Sequence, residues 1–143
     1  MRPDERDNKR QSSAEKAKVL VDSRRVMKPP SERQIQIRCV SWFRLRYPEA
    51  SQVFMAIPNG SARNPWTAKN LKDEGVLSGA PDLMLLVPRH GYASLCIEMK
   101  KPGGRQSDTQ KAFQEAAERF KNKYVVCYSE EEFHRVIEDY LEK

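Results

Sequence analysis

The sequence predicts a mixed α/β sandwich with element order α-β-α-β-β-α-β-α. Three observations predict it. Ser31, Ser107 and Ser129 each stand three residues before a Gln or Glu and open a stretch of helical apolar spacing, the pattern of a capping box. Two apolar runs flank Arg89-His90-Gly91, as the strands of a hairpin would. Proline and glycine punctuate the chain between these stretches, at Pro48, Pro58, Gly75 and Gly103-Gly104.

The first helix opens at the Ser31-Glu32-Arg33-Gln34 box and runs to about Tyr47, where Pro48 stops it. Its apolar stripe is Ile35, Cys39 and Trp42 or Phe43. Glu32, three residues before Ile35, belongs to the N-terminal end of that inward face. Gln52–Ile57 reads as a strand closed by the turn signal Pro58-Asn59-Gly60. Asn64 then caps a short helix with Pro65 at its first position and Gly75 at its end. Asp82–Pro88 is nearly continuous in apolar residues and suits a strand buried on both faces. Tyr92–Lys100 is its return partner, with Leu95, Ile97 and Met99 on one face and Cys96, Glu98 and Lys100 on the other. The Ser107 box opens a helix to about Asn122 with a stripe of Phe113, Ala116, Ala117 and Phe120. Tyr124–Tyr128 is the last strand. The Ser129 box opens the last helix, with Phe133, Val136, Ile137, Tyr140 and Leu141 inward. Trp42 and Trp66 fall on helical stripes and read as core rather than as platforms for bases.

The 143 residues suffice for one domain. Residues 1–30 carry nine basic and five acidic side chains and little that can be buried, so they read as a flexible basic arm before a compact unit over 31–143. The net charge of +6 divides between that arm and residues 31–120, while residues 121–143 are acidic on balance. A basic excess suits a nucleic-acid partner. No long apolar run and no apolar stretch near Met1 is present, so the expectation is a cytoplasmic protein without a membrane span. Cys39, Cys96 and Cys127 are odd in number, far apart and set in apolar stretches, which predicts free, buried thiols. Two histidines without ligand spacing argue against zinc.

The chemistry concentrates on the hairpin. With its turn centred on His90, cross-strand partners sum to 180. Pro88 then faces Tyr92, Leu86 faces Ser94, Met84 faces Cys96, and Asp82 faces Glu98. Opposed residues of an antiparallel pair project to one face about 5 Å apart. Two carboxylates so placed repel unless positive charge lies between them. Lys100 supplies part of it, and a divalent cation would supply the rest. Mg²⁺ takes hard oxygen ligands, few of them from protein, and leaves room for water and phosphate. Lys100 would orient or deprotonate an attacking water, or neutralise the charge on the phosphate. Glu32 either serves its helix dipole or completes the metal's shell. Arg63, Lys69, Lys72, Lys101 and Arg105 border this region as candidate DNA-phosphate contacts.

Pro81-Asp82 followed by Glu98-Met99-Lys100 resembles the PD-(D/E)xK nuclease signature, and the element order resembles that restriction-endonuclease-like core. Ile57-Pro58-Asn59-Gly60, Leu71–Gly75, Gly79–Leu83, Ile97–Lys100, Gly103-Gly104, Ser107, Gln110 and the closing Ile137, Tyr140 and Leu141 extend the likeness. Together they resemble the virus-type replication-repair nuclease (VRR-NUC) family. Its members include small phage and bacterial proteins and the nuclease domain of a DNA-crosslink repair enzyme. The resemblance implies Asp82, Glu98 and the Met99 backbone carbonyl as ligands of Mg²⁺ or Mn²⁺, Lys100 as the catalytic lysine, and Glu32 as the acidic residue of the first helix. It implies Gln110 as the glutamine beside the metal. It further implies a homodimeric endonuclease for branched DNA, such as four-way junctions or flaps, in a bacterial or phage-infected cell, with no organic cofactor. The chain departs from the family at Ser61, where a second glycine is common, and at Ala93-Ser94, where His-Gly often follows the tyrosine. Two other readings keep the same residues: a non-catalytic basic DNA-binding module, and a restriction-type nuclease that cuts a fixed sequence.

Overall fold

The computed structural model describes residues 28–58 and 65–143. The arm read over 1–30, except Lys28-Pro29-Pro30, lies outside the described residues, as do the Pro58-Asn59-Gly60 turn beyond Pro58, the Asn64 cap, Arg63 and the Trp66 side chain.

Helix α1 spans Glu32–Arg46. Its start is the expected box: the Gln34 amide donates to the Ser31 hydroxyl and the Ser31 amide donates to the Gln34 side chain. Ala50–Val53 then coil as a 3₁₀ turn, so strand β1 is only Phe54–Ala56 rather than Gln52–Ile57. The cause is local. The Ser51 amide bonds back to Tyr47 and its hydroxyl to Pro48, which commits that segment to a turn. Helix α2 is Pro65–Asp73. It closes as expected at Gly75 (φ +99°), with the Val76 amide on the Leu71 carbonyl and the Gly75 amide on that of Lys72, a Schellman motif.

Strands β2 (Leu83–Leu85) and β3 (Ser94–Met99) form the central antiparallel pair. Beyond them lie helix α3 (Asp108–Arg119), strand β4 (Asn122–Cys127) and helix α4 (Glu130–Glu142). The sheet order is β1-β2-β3-β4, with β4 parallel to β3. The Met84–Cys96 pairing holds as read. The turn does not: Arg89 pairs with Tyr92, not Pro88 with Tyr92. His90 and Gly91 both take positive φ, the conformation of a two-residue hairpin loop, so the tip is offset by one residue from the strands.

Leu83, Leu85, Leu95, Ile97, Met99 and Cys127 face the core, against Cys39 and Phe43 of α1 and Phe133, Ile137 and Tyr140 of α4. Trp42 packs on its edge and stacks on His134. Among the described residues, the helix on the opposite face is α3. Phe120, read as part of its inward stripe, is 74% exposed, because the helix ends at Arg119 and Lys121 (φ +63°) turns the chain into β4. The Ser129 box is half made: Ser129 caps the Glu132 amide, but the Glu132 carboxylate accepts from Tyr128 instead of from Ser129. All three cysteines are free and buried. No helix among the described residues is long and apolar enough to cross a membrane.

Candidate active site

Asp82 stands one residue before β2, at the point where β1, β2 and β3 meet. Its carbonyl accepts the Ile57 amide at 2.9 Å. Its carboxylate Oδ2 accepts the Met99 amide at 2.7 Å. The side chain therefore continues the ladder to β3 where the strand itself has ended, and this fixes the carboxylate. Since Leu83 pairs with Ile97, the register carries Asp82 to Glu98, as the sequence arithmetic required.

Glu98 is only 3% exposed. Its Oε1 accepts from the Gln110 Nε2 at 2.7 Å and lies 3.3 Å from the Lys100 Nζ. Its Oε2 is buried and has no hydrogen-bond partner among the described residues. A buried carboxylate oxygen without a donor costs free energy that the fold does not recover by itself. Burial first, and then the Asp82 charge, push the Glu98 carboxyl up to about 7, against the opposing pull of Lys100. A divalent cation between the two carboxylates would oppose both pushes by favouring the charged form. The donor set of hard carboxylate oxygens fits Mg²⁺ or Mn²⁺, and the unpartnered Oε2 is where such an ion would find a ligand. Among the described residues no three His, Cys, Asp or Glu side chains group closely enough to form a protein-only cage. That suits an ion that keeps water and phosphate in its shell.

Gln110 does two jobs with one amide. Its Oε1 accepts the Ser107 amide at 2.8 Å and completes the capping box of α3, while its Nε2 holds Glu98. The first turn of α3 is brought in by Gly79, which has φ +85°. A Cβ there would lie 2.2 Å from the Thr109 carbonyl oxygen. Only glycine permits that approach.

Glu32 borders the same cleft of about 890 Å³ as Asp82, Glu98, Lys100 and Gln110. Its carboxylate accepts the Lys101 amide at 3.0 Å, which pins the loop after β3 to the start of α1. Of the candidate DNA contacts, Lys72 lines the cleft. Lys101 and Arg105 are exposed on the loop after β3, outside its lining. Lys69 is engaged with Asp73 at 2.7 Å along α2. Arg63 lies outside the described residues.

Two features escaped sequence reasoning. The role of Gly79 was hidden because its steric partner is 30 residues away. A second groove, of about 410 Å³, runs from Asp82 and Met99 along α1 past Arg33 and Arg44. Its signal was present in the spacing of Arg33, Ile37 and Arg44, which share the outward side of that helix.

The comparisons with known proteins agree with this geometry. No curated protein matches the chain. A solved structure described as a VRR_NUC domain protein superposes with a TM-score of 0.71 at 23% identity, over 81% of this chain and 92% of that one. At that identity the likeness shows the fold. The family model of the VRR-NUC domain matches residues 17–131, a span that includes every residue of the Asp82–Glu98–Lys100–Gln110 cluster. On that match the chain belongs to the VRR-NUC family, a family of nucleases.

Proposed function

We propose that the chain is a Mg²⁺- or Mn²⁺-dependent endodeoxyribonuclease that hydrolyses phosphodiester bonds in branched duplex DNA and works as a homodimer. The observation that carries the proposal is Glu98 Oε2, a buried oxygen without a donor beside a second carboxylate. Asp82, Glu98 and the Met99 carbonyl would hold the ion, with Glu32 at the rim of the cleft. A divalent cation held there supplies a Lewis acid for the phosphate and lowers the pKa of water. Lys100, with a side chain 15% exposed, places its ammonium beside the reacting phosphate. There it neutralises developing negative charge or, once deprotonated, takes the proton of the attacking water. Gln110 keeps Glu98 from rotating away. Lys72 is proposed as a phosphate contact within the cleft, Lys69, Lys101 and Arg105 as contacts beyond its lining, and Arg63 on the sequence alone. The homodimer follows from the substrate: nicking two symmetric strands of a four-way junction calls for two sites related by a two-fold axis.

The test is one gel. The full chain is incubated with a four-way junction, a flap, a linear duplex and single strands, each with Mg²⁺, Mn²⁺ or EDTA. Branched substrates should be cut with either metal and not in EDTA. Asp82→Ala, Glu98→Ala and Lys100→Ala should bind DNA and not cut it. Wild-type turnover by Glu98→Ala would sink the assignment. Cleavage of linear duplex at one fixed sequence would point to the restriction-type reading, and binding without any cleavage to the non-catalytic one.

A further inference from the structure

Asp82 stands at the meeting of two depressions. On one side is the cleft that holds Glu98, Lys100 and Lys72. Beside it is the groove of about 410 Å³ along α1, which shares Glu32 and Asp82 with the cleft and is lined by Met99 as well. A phosphodiester centred on the two carboxylates has a nucleotide chain leaving it in both directions. One direction is the cleft. The groove is the depression that continues from the same carboxylate.

The walls of the groove suit a nucleic-acid backbone. Arg33 and Arg44 border it, with Gln36 and Ser41 between them. Neither arginine side chain forms an ion pair or hydrogen bond among the described residues, whereas that of Arg46 on the same helix is taken up by Glu142 at 3.1 Å. Eleven residues of helix separate the pair, roughly 16 Å along the axis. The two guanidiniums therefore address different phosphates of one backbone rather than a single small anion. Ile37, 47% exposed between them, offers an apolar contact for a sugar. A peptide partner with acidic side chains would also pair with arginines. It would have no reason to end at a carboxylate pair, whereas a strand whose phosphate sits there must pass through.

We infer that the α1 groove carries the nucleic-acid backbone on the far side of the reacting phosphate from the cleft, with Arg33 and Arg44 as its phosphate contacts. The inference rests on the reading of Asp82 and Glu98 as a phosphodiester site.

The test measures binding, so that its outcome is independent of cleavage. Fluorescence anisotropy follows a labelled four-way junction and a labelled linear duplex binding to the full-length chain in EDTA, across a salt series. Each phosphate contact contributes about 0.9 to the slope of log K against log salt. Arg33→Ala/Arg44→Ala should flatten that slope by about 2 and weaken binding roughly tenfold at moderate salt on both substrates. Arg33→Lys/Arg44→Lys should keep most of the slope, since it keeps the charge. Arg38→Ala, exposed on the same helix but outside the groove, should change it by less than about half a unit. Circular dichroism should show all variants folded, because both groove arginines are exposed. An unchanged slope in the double alanine variant overturns the inference, as does an Arg38→Ala effect of equal size. A wild-type chain that cuts DNA while the double variant keeps its slope refutes the groove and leaves the nuclease reading. A slope that flattens in a chain that cuts nothing does the reverse.

Discussion

The two faces of the sheet are made from the same strands and differ in almost everything else. On the closed face Leu83, Leu85, Leu95 and Ile97 are fully buried against Phe43 and Phe133, with Phe43 and Phe54 ring centroids 4.1 Å apart. The Tyr140 hydroxyl on that side is satisfied by the Val87 carbonyl at 2.6 Å. On the open face stand Asp82, Glu98 and Lys100, with Met84 and Cys96 further along under α3. There Leu77 and Phe120 remain exposed, and a groove of about 470 Å³ is left between sheet and helix. The pleat assigns alternate residues of β3 to the two faces, so one strand both seals a core and arms a site. The proposed reactive groups stand where the cover is incomplete, which leaves them open to a substrate. The closed face supplies the rigidity that holds them.

Substitutions should separate the faces. The largest effect is expected at Glu98. Glu98→Gln should cut turnover by about 10³-fold or more, in the range seen when electrostatic groups of an active site are removed. In EDTA it should also raise the melting temperature, because the buried negative charge beside Asp82, only partly offset by Lys100, is gone. Mg²⁺ or Mn²⁺ should raise the melting temperature of the wild type and not of the variant. A variant less stable than wild type in EDTA would show Glu98 to be part of the fold's support, and would break the contrast. Phe133→Ala, on the closed face, should lose about 3–5 kcal/mol in urea unfolding while the molecules that remain folded keep their turnover.

Gly79→Ala joins the two effects. The positive φ and the clash with Thr109 should cost about 1–3 kcal/mol and lower activity by displacing the first turn of α3. Gln110→Glu is milder for the helix, since Glu also closes a capping box, but it turns an acceptor toward Glu98. Activity should fall further than the melting curve. The smallest effect is kinetic. Burial pushes the Cys39 and Cys127 thiols up to about 12 and raises that of Cys96. Alkylation of Cys39 and Cys127 should follow global unfolding, while Cys96 beneath α3 should label sooner. Equal rates for all three would mean that α3 seals its face as well as α1 and α4 seal theirs.

What the sequence made legible was what short range or strict period decides. The Ser31 and Ser107 boxes are contacts three residues apart. The opposition of Asp82 and Glu98 follows from period two across a short loop. The hairpin tip was misplaced because His90 takes positive φ, which its residue type does not demand. Phe120 was misread because helical spacing does not say where a helix stops. Glu132 chose Tyr128 over Ser129, a choice between two nearby amides that composition leaves open. Gly79 and the α1 groove depend on segments distant in sequence. For the candidate site residues the register was readable, while their steric support and the grooves beside them were not.

Gln110 has a consequence for timing. Helix ends open and close far more often than whole domains, and the end of α3 closes through the amide that restrains Glu98. Each time that turn frays, the carboxylate loses its donor. The armed site therefore has a lifetime, set by a local opening equilibrium and not by the stability of the whole molecule. The backbone N–H of Gln110, bonded to the Ser107 hydroxyl at 3.2 Å, is exposed by the same opening. Its exchange with deuterium would count, residue by residue and without any substrate, how much of the time the proposed catalytic cluster stands assembled.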